Sequence, residues 1–239
     1  MNRITKVYLK NIFTQKGIYI CIGISALIGI IIPFITEFFV KTDAVKTAGS
    51  EVISVFTSGV GLLQVIYITL FVCSDFTDGA AKNYIARGYT RRQILFSKFI
   101  ASLIAVAAFY IFEAFLAFVL YAKNGIGFEA GNLLYILGSL TTSVAVVGLY
   151  VIIANTAEKL GTAIVINIML PNVIGLLLPL ANKLFDGVKL ENYWIANLTE
   201  LMSKAPTVTE LIEVVGIAIV YLIILFEVSN YIIKKKEVK

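Results

Sequence analysis

The sequence predicts an all-helical integral membrane protein: six spans, a surface helix at the N-terminus, and one further short helix in water between the second and third spans. Three observations carry this. Of 239 residues, 59% are hydrophobic and mean hydropathy is +0.91, against roughly 45–50% apolar residues in soluble domains. The apolar residues gather into six stretches, 17–40, 52–73, 99–121, 133–154, 160–182 and 211–233, each near the roughly 20 residues that cross a hydrocarbon layer about 30 Å thick. Backbone groups in lipid have no water to bond, so these stretches are helices. Between the second and third lies a polar, basic segment, 74–98, that lipid cannot hold.

The first 16 residues carry Arg3, Lys6, Lys10 and Lys16 and no acid. Arg3, Lys6 and Lys10 recur at helical spacing on one face, and Ile4, Tyr8 and Ile12 on another, with Leu9 and Phe13 blurring the division. This pattern predicts an amphipathic helix lying on the inner leaflet; the plainer alternative is a frayed basic terminus. The first apolar stretch is too long for a signal-peptide core and no small-x-small cleavage site follows it, so an uncleaved helix is expected. Cys21 and Cys73 fall near the same-side ends of their spans, where a reducing compartment keeps thiols free.

The 74–98 segment parses as helix, break, cap, helix. Asp75 can cap a short helix, with Asp78 near the positive end of its dipole. Phe76, Ala80 and Tyr84 share a face. Gly88 is a natural stop one residue past a helix end. Thr90 and Gln93 then form a capping box that starts the third long helix before it enters lipid. A connector needs only about five residues, the length of 155–159. The added length and order of 74–98 point to a protein partner; otherwise its charges only set topology.

Within the third span lies Glu113, a costly residue in lipid and by default a candidate for substrate or proton handling. Helix–helix hydrogen bonding is the favoured role, because polar groups in membranes often join helices. Gln64, Asn167 and Asn172 either line a pathway or pin helices together. Glu37 and Glu213 sit near outer span ends, within reach of water, and Glu227 lies about two turns from the basic tail, where a lysine can reach back. Pro33, Pro171 and Pro179 remove backbone donors and are expected to kink their helices. Ala101 and Ala105 permit close packing on the third span and suggest a dimer contact. The segment 183–210 has too many charges to span. Its Tyr193 and Trp194 favour a membrane boundary, so one or two short helices capping the outer surface are expected.

Outside the spans, fourteen Lys and Arg fall on the side of the N-terminus, the 74–98 segment and the tail, and six on the other. The positive-inside bias makes both termini cytoplasmic in a multi-pass plasma-membrane protein. The same bias accounts for the net charge of +5 without nucleic acid, and the basic residues suit anionic lipid. The chain has no histidine, which removes Ser-His, Cys-His and His-metal chemistry. No catalytic residue and no metal site is expected. There is no G-x-x-x-x-G-K-[ST] loop, so any ATP used is bound by another chain.

The segment Asp75-Phe76, Gly79, Lys82-Asn83, Gly88, Arg91, Ile94 and Ser97-Lys98 resembles the first cytoplasmic loop of ABC-2-type transporter permeases, the membrane subunits of one class of ABC exporters. Asp75 stands where that family usually has Glu, and Ala80 where it has Thr. The layout of a basic amphipathic N-terminus, six spans and a longer outer segment before the last span is similar as well. The resemblance implies a cytoplasmic coupling helix seated in a groove of a separate ABC ATPase subunit, with ATP and Mg bound by that partner and no cofactor in this chain. Asp75, Phe76, Lys82, Asn83, Tyr84, Arg87, Arg91 and Arg92 would serve as docking residues, beside the N-terminal helix with Arg3, Lys6 and Lys10. It further implies a homodimer or a pairing with a related permease. The small size looks like permeases of Gram-positive peptide export and immunity systems. With few charges in the spans, the expected cargo is amphipathic or hydrophobic, a peptide first. The rival expectations are an ion- or proton-coupled carrier titrating at Glu113 and a non-transporting immunity or scaffold protein.

Overall fold

In a computed structural model, the structure describes residues 3–39, 61, 63–74, 80–122, 130–157, 159–182, 189–202 and 206–235. Regular structure among these is helical throughout. In chain order it comprises α1 (Arg3–Thr14), α2 (Lys16–Phe39), α3 (Leu63–Ser74), α4 (Ala80–Ala86), α5 (Arg91–Ala122), α6 (Ala130–Thr156), α7 (Leu160–Ala181) and α8 (Val208–Lys235). Two short 3-10 turns, Leu190–Tyr193 and Leu198–Leu201, stand between α7 and α8.

Four described helices are long and apolar enough to cross a membrane: Arg91–Phe112 within α5, Leu133–Thr156 within α6, α7 and α8. The expected first span coincides with α2, and the described part of the expected second is α3; their described apolar runs, Lys16–Leu27 and Leu63–Ser74, are shorter. At 32 residues, α5 is about 48 Å long at 1.5 Å per residue. It begins eight residues before the expected span because its cap is in the polar segment, so its first two turns belong to that segment rather than to the apolar run.

α5 and α6 form the centre and α7 and α8 the periphery. Of the apolar window in α5, 61% is buried, against 17% in α7 and 11% in α8. Ala101 and Ala105, expected to face a second copy, are fully buried inside this chain, so they say nothing of a dimer. Gly148 on α6 brings that helix against α8 and α5: a Cβ there would lie 3.1 Å from Leu225 Cδ1, 3.3 Å from Leu222 Cδ2 and 3.5 Å from Phe99 Cζ. α7 continues through Pro171 and Pro179. Asn167 holds it to the bundle. Its Nδ2 donates to Thr69 Oγ1 at 2.7 Å and to the Tyr150 carbonyl at 3.3 Å, joining α7 to α3 and α6.

The apolar residues between α7 and α8 turn inward. Ile195, Leu198 and Met202 are buried against Ala145, Val146, Val214 and Ala218. Trp194 Nε1 donates to the Pro171 carbonyl at 3.2 Å and Tyr221 Oη to the Tyr193 carbonyl at 3.0 Å. Gly138 leaves Met202 its place, since a Cβ there would collide with the thioether. The two short turns are as expected, but Ile195, Leu198 and Met202 pack on the protein and not on a membrane surface.

Candidate functional site: the basic end of the bundle

The opposite end gathers α1, α4, the start of α5, the end of α3 and the end of α8. Its geometry begins with local sequence. α4 ends in a Schellman turn: Tyr89 N–H donates to the Tyr84 carbonyl at 3.1 Å and Gly88 N–H to the Ile85 carbonyl at 2.9 Å, the paired bonds that close a helix through a left-handed residue. Gly88 has φ +86° and is the only described residue with positive φ; a side chain there would be strained, hence glycine. The motif's hydrophobic contact is supplied by the Tyr84 and Tyr89 rings, 6.3 Å apart and edge-on. One residue later, Thr90 N–H donates to Gln93 Oε1 at 3.0 Å and Gln93 N–H to Thr90 Oγ1 at 3.3 Å. This is the capping box in both directions, and it fixes the start of α5 a single turn beyond α4.

α1 covers this corner. Ile4, Tyr8 and Ile12 are 1% exposed or less, while Arg3, Lys6 and Lys10 are exposed. The two faces fall as the spacing predicts, yet the apolar face is applied to the protein rather than to lipid. The Tyr8 ring packs at a tilt on Tyr84 of α4 (5.5 Å) and edge-on to Phe71 of α3 (6.1 Å). Thr5 and Ser97 hydroxyls share a buried hydrogen bond at 3.0 Å, and Tyr67 Oη donates to the Ile12 carbonyl at 2.6 Å. α1, α3, α4 and the start of α5 are thus one packed unit. α2 leaves it through a break at Gln15, pinned by Tyr19 Oη donating to the Phe13 carbonyl at 2.9 Å.

Lys98 belongs to the same unit. Read in sequence as one more solvated loop cation, it is 2% exposed and its Nζ donates to the Val72 carbonyl at 3.1 Å. A buried ammonium is costly unless bonded. Here it meets the Val72 carbonyl in the last turn of α3, where the helix dipole favours a cation. Cys73 Sγ lies 3.6 Å from the Ala154 carbonyl, so α6 ends beside the same point. Neither Cys21 nor Cys73 is in a disulfide. The signal for Lys98 was helical spacing: it shares a stripe with Ile94, Ala101 and Ala105, all buried.

Arg91 and Arg92 turn toward α8. Arg91 Nη1 donates to the Ile233 carbonyl at 3.3 Å. Arg92 Nη2 pairs with Glu227 Oε1 at 3.0 Å and stands 6.0 Å from the Phe226 ring centre. Glu227 therefore meets Arg92 and, among the described residues, neither Lys234 nor Lys235 of the tail.

The other sequence candidates divide as follows. Lys82, Asn83 and Arg87 are exposed on and just beyond α4, and Tyr84 is half-buried. Asp75 and Phe76 lie outside the described residues, as does the Glu113 side chain, whose backbone is in α5. Gln64 is buried near the start of α3. Asn167 pins helices, and Asn172 is exposed with Nδ2 on its own helix at the Ile168 carbonyl. The structure brings Lys82, Asn83, Tyr84 and Arg87 into one corner with α1, and does not bring Asn167 or Asn172 to it. Among the described residues no three His, Cys, Asp or Glu side chains gather as metal ligands. What the corner offers is shape and charge: a short helix projecting from the bundle, with outward cations and an inward aromatic seam.

No family model, curated protein or solved structure matches this chain.

Proposed function

We propose that this chain is the permease subunit of an ATP-driven ABC exporter, of the ABC-2 type, with six spans and both termini in the cytoplasm of a plasma-membrane protein. It works as a dimer, with itself or a related permease, on a separate ABC ATPase that binds ATP and Mg. The cargo is an amphipathic or hydrophobic molecule, a peptide first. The observation that carries this reading is the joint at Gly88. A free-standing loop helix would have no means of moving a span. α4 is instead joined to α5 by two interlocking caps and to α3 through Tyr84, Tyr8 and Phe71. A push on α4 is therefore delivered to the central helix of the bundle. Coupling of this kind needs an element with different contacts in two states, and the exposed Lys82, Asn83 and Arg87 supply the surface for a partner.

The test reverses charge on that surface. Lys82→Glu with Arg87→Glu leaves the packed seam untouched, so the chain inserts normally and recovers less of the ATPase that accompanies the native chain. Unchanged recovery of the ATPase rejects α4 as the docking element.

A further inference from the structure

α8 is the least buried of the four long apolar helices, yet its basic end is tied to the first three turns of α5 by three kinds of contact. Arg92 pairs with Glu227 at 3.0 Å. Arg91 donates to the Ile233 carbonyl at 3.3 Å, one of the last carbonyls of α8, which have no partner within the helix. Phe226 lies edge-on between Phe96 (5.8 Å) and Phe99 (5.5 Å) of α5. The acid is aimed: Asn230, 5% exposed, donates Nδ2 to Glu227 Oε2 at 3.3 Å and leaves Oε1 for the arginine.

The geometry points to a releasable clamp: the Arg92–Glu227 pair, oriented by Asn230, holds the end of α8 on α5, and withdrawal of Arg92 to another anion sets that end free. Two observations make it releasable. The ion pair is open to solvent, with side chains 59% and 54% exposed, so it is weak and sensitive to competing charge. The aromatic part does not hold α8 by itself in lipid, because acyl chains cover Phe226 as well as Phe96 does and there is no hydrophobic drive between helices there. Leu222 and Leu225 pack the middle of α8 against Gly148 of α6, and the polar contacts decide where its basic end rests against α5. Both arginines stand within four residues of Gly88, so a movement of α4 reaches the clamp first. The clamp is complete within this chain and does not depend on the transport reading.

The test is a distance measurement in the full chain, with Cys21 and Cys73 replaced by alanine and spin labels at Lys10→Cys on α1 and Lys234→Cys on α8, both exposed. Pulsed electron paramagnetic resonance in lipid nanodiscs should give one narrow distance population. Arg92→Glu should add a second, longer one, raising the released fraction about fivefold, the limit for an exposed pair. Arg92→Glu with Glu227→Arg should restore the narrow distribution, which a merely misfolded variant would not do. A single distribution unaltered by Arg92→Glu, or a broadening that the swapped pair fails to reverse, overturns the clamp.

Discussion

Replacing Asn167 by leucine removes the polar group that holds α7 to the rest of the bundle while keeping the branched outline of the side chain. The structure sets the size of the effect. Two bonds are lost, to Thr69 Oγ1 at 2.7 Å and to the Tyr150 carbonyl at 3.3 Å. Interhelical hydrogen bonds in membranes average about 0.6 kcal/mol and reach about 1.7, so the pair is worth about 1.2 kcal/mol. Against this, Asn167 Oδ1 is buried with no partner among the described residues, and its removal relieves a desolvation cost. Asn167→Leu should therefore cost about 1 kcal/mol or less. Thr69 keeps its own bond, donating to the Val65 carbonyl at 2.7 Å, so it is not orphaned when Asn167 goes. A double-mutant cycle with Thr69→Val isolates the shared bond. The assay is reversible unfolding of all four proteins in mixed micelles, and the expected coupling is about 0.6 kcal/mol. A coupling of zero would refute the contact between α7 and α3. A coupling above about 1.7 kcal/mol would refute the lipid-like setting assumed for it.

Other positions give equally direct expectations. Gly88→Ala should cost about 1–2 kcal/mol in thermal unfolding from backbone strain alone, since no atom lies within 4 Å of a Cβ there; Gly88→Asn should cost less. Gly148→Ala should be tolerated, because the neighbouring Leu225 and Leu222 methyls can shift. Gly148→Leu should part α6 from α8 and cost about 1–3 kcal/mol. Tyr67→Phe removes the bond to the Ile12 carbonyl, should cost about 1 kcal/mol, and should open the segment before Gln15 to limited proteolysis; an unchanged cleavage pattern would refute the tie between α3 and α1.

Where the sequence acts locally, it was legible. Long apolar runs set α6, α7 and α8 nearly end to end and α5 at its far end, because twenty apolar residues in lipid have only one way to satisfy their backbone. The Gly88 turn and the Thr90–Gln93 box were legible because each is made within six residues. The alternation of Arg3, Lys6 and Lys10 with Ile4, Tyr8 and Ile12 gave the two faces of α1 but not what covers the apolar one. That depends on Tyr84 and Phe71, 76 and 63 positions away from Tyr8. Lys98 read as a loop cation, and Arg91 and Arg92 as docking residues facing a partner, for the same reason. Their partners, Val72, Ile233 and Glu227, are set by tertiary packing, and two of the three acceptors are backbone carbonyls that leave no mark in a sequence. Asn167 could be narrowed only to a pathway or a pin until the positions of Thr69 and Tyr150 showed it to be a pin.

The most direct test of the central claim is purification of the tagged chain from its native membrane under mild detergent, with mass spectrometry of what accompanies it and an ATPase assay on the eluate. The account predicts a stoichiometric ABC ATPase with measurable turnover. An eluate free of any ATPase, from a chain that still moves or binds its ligand, would contradict it.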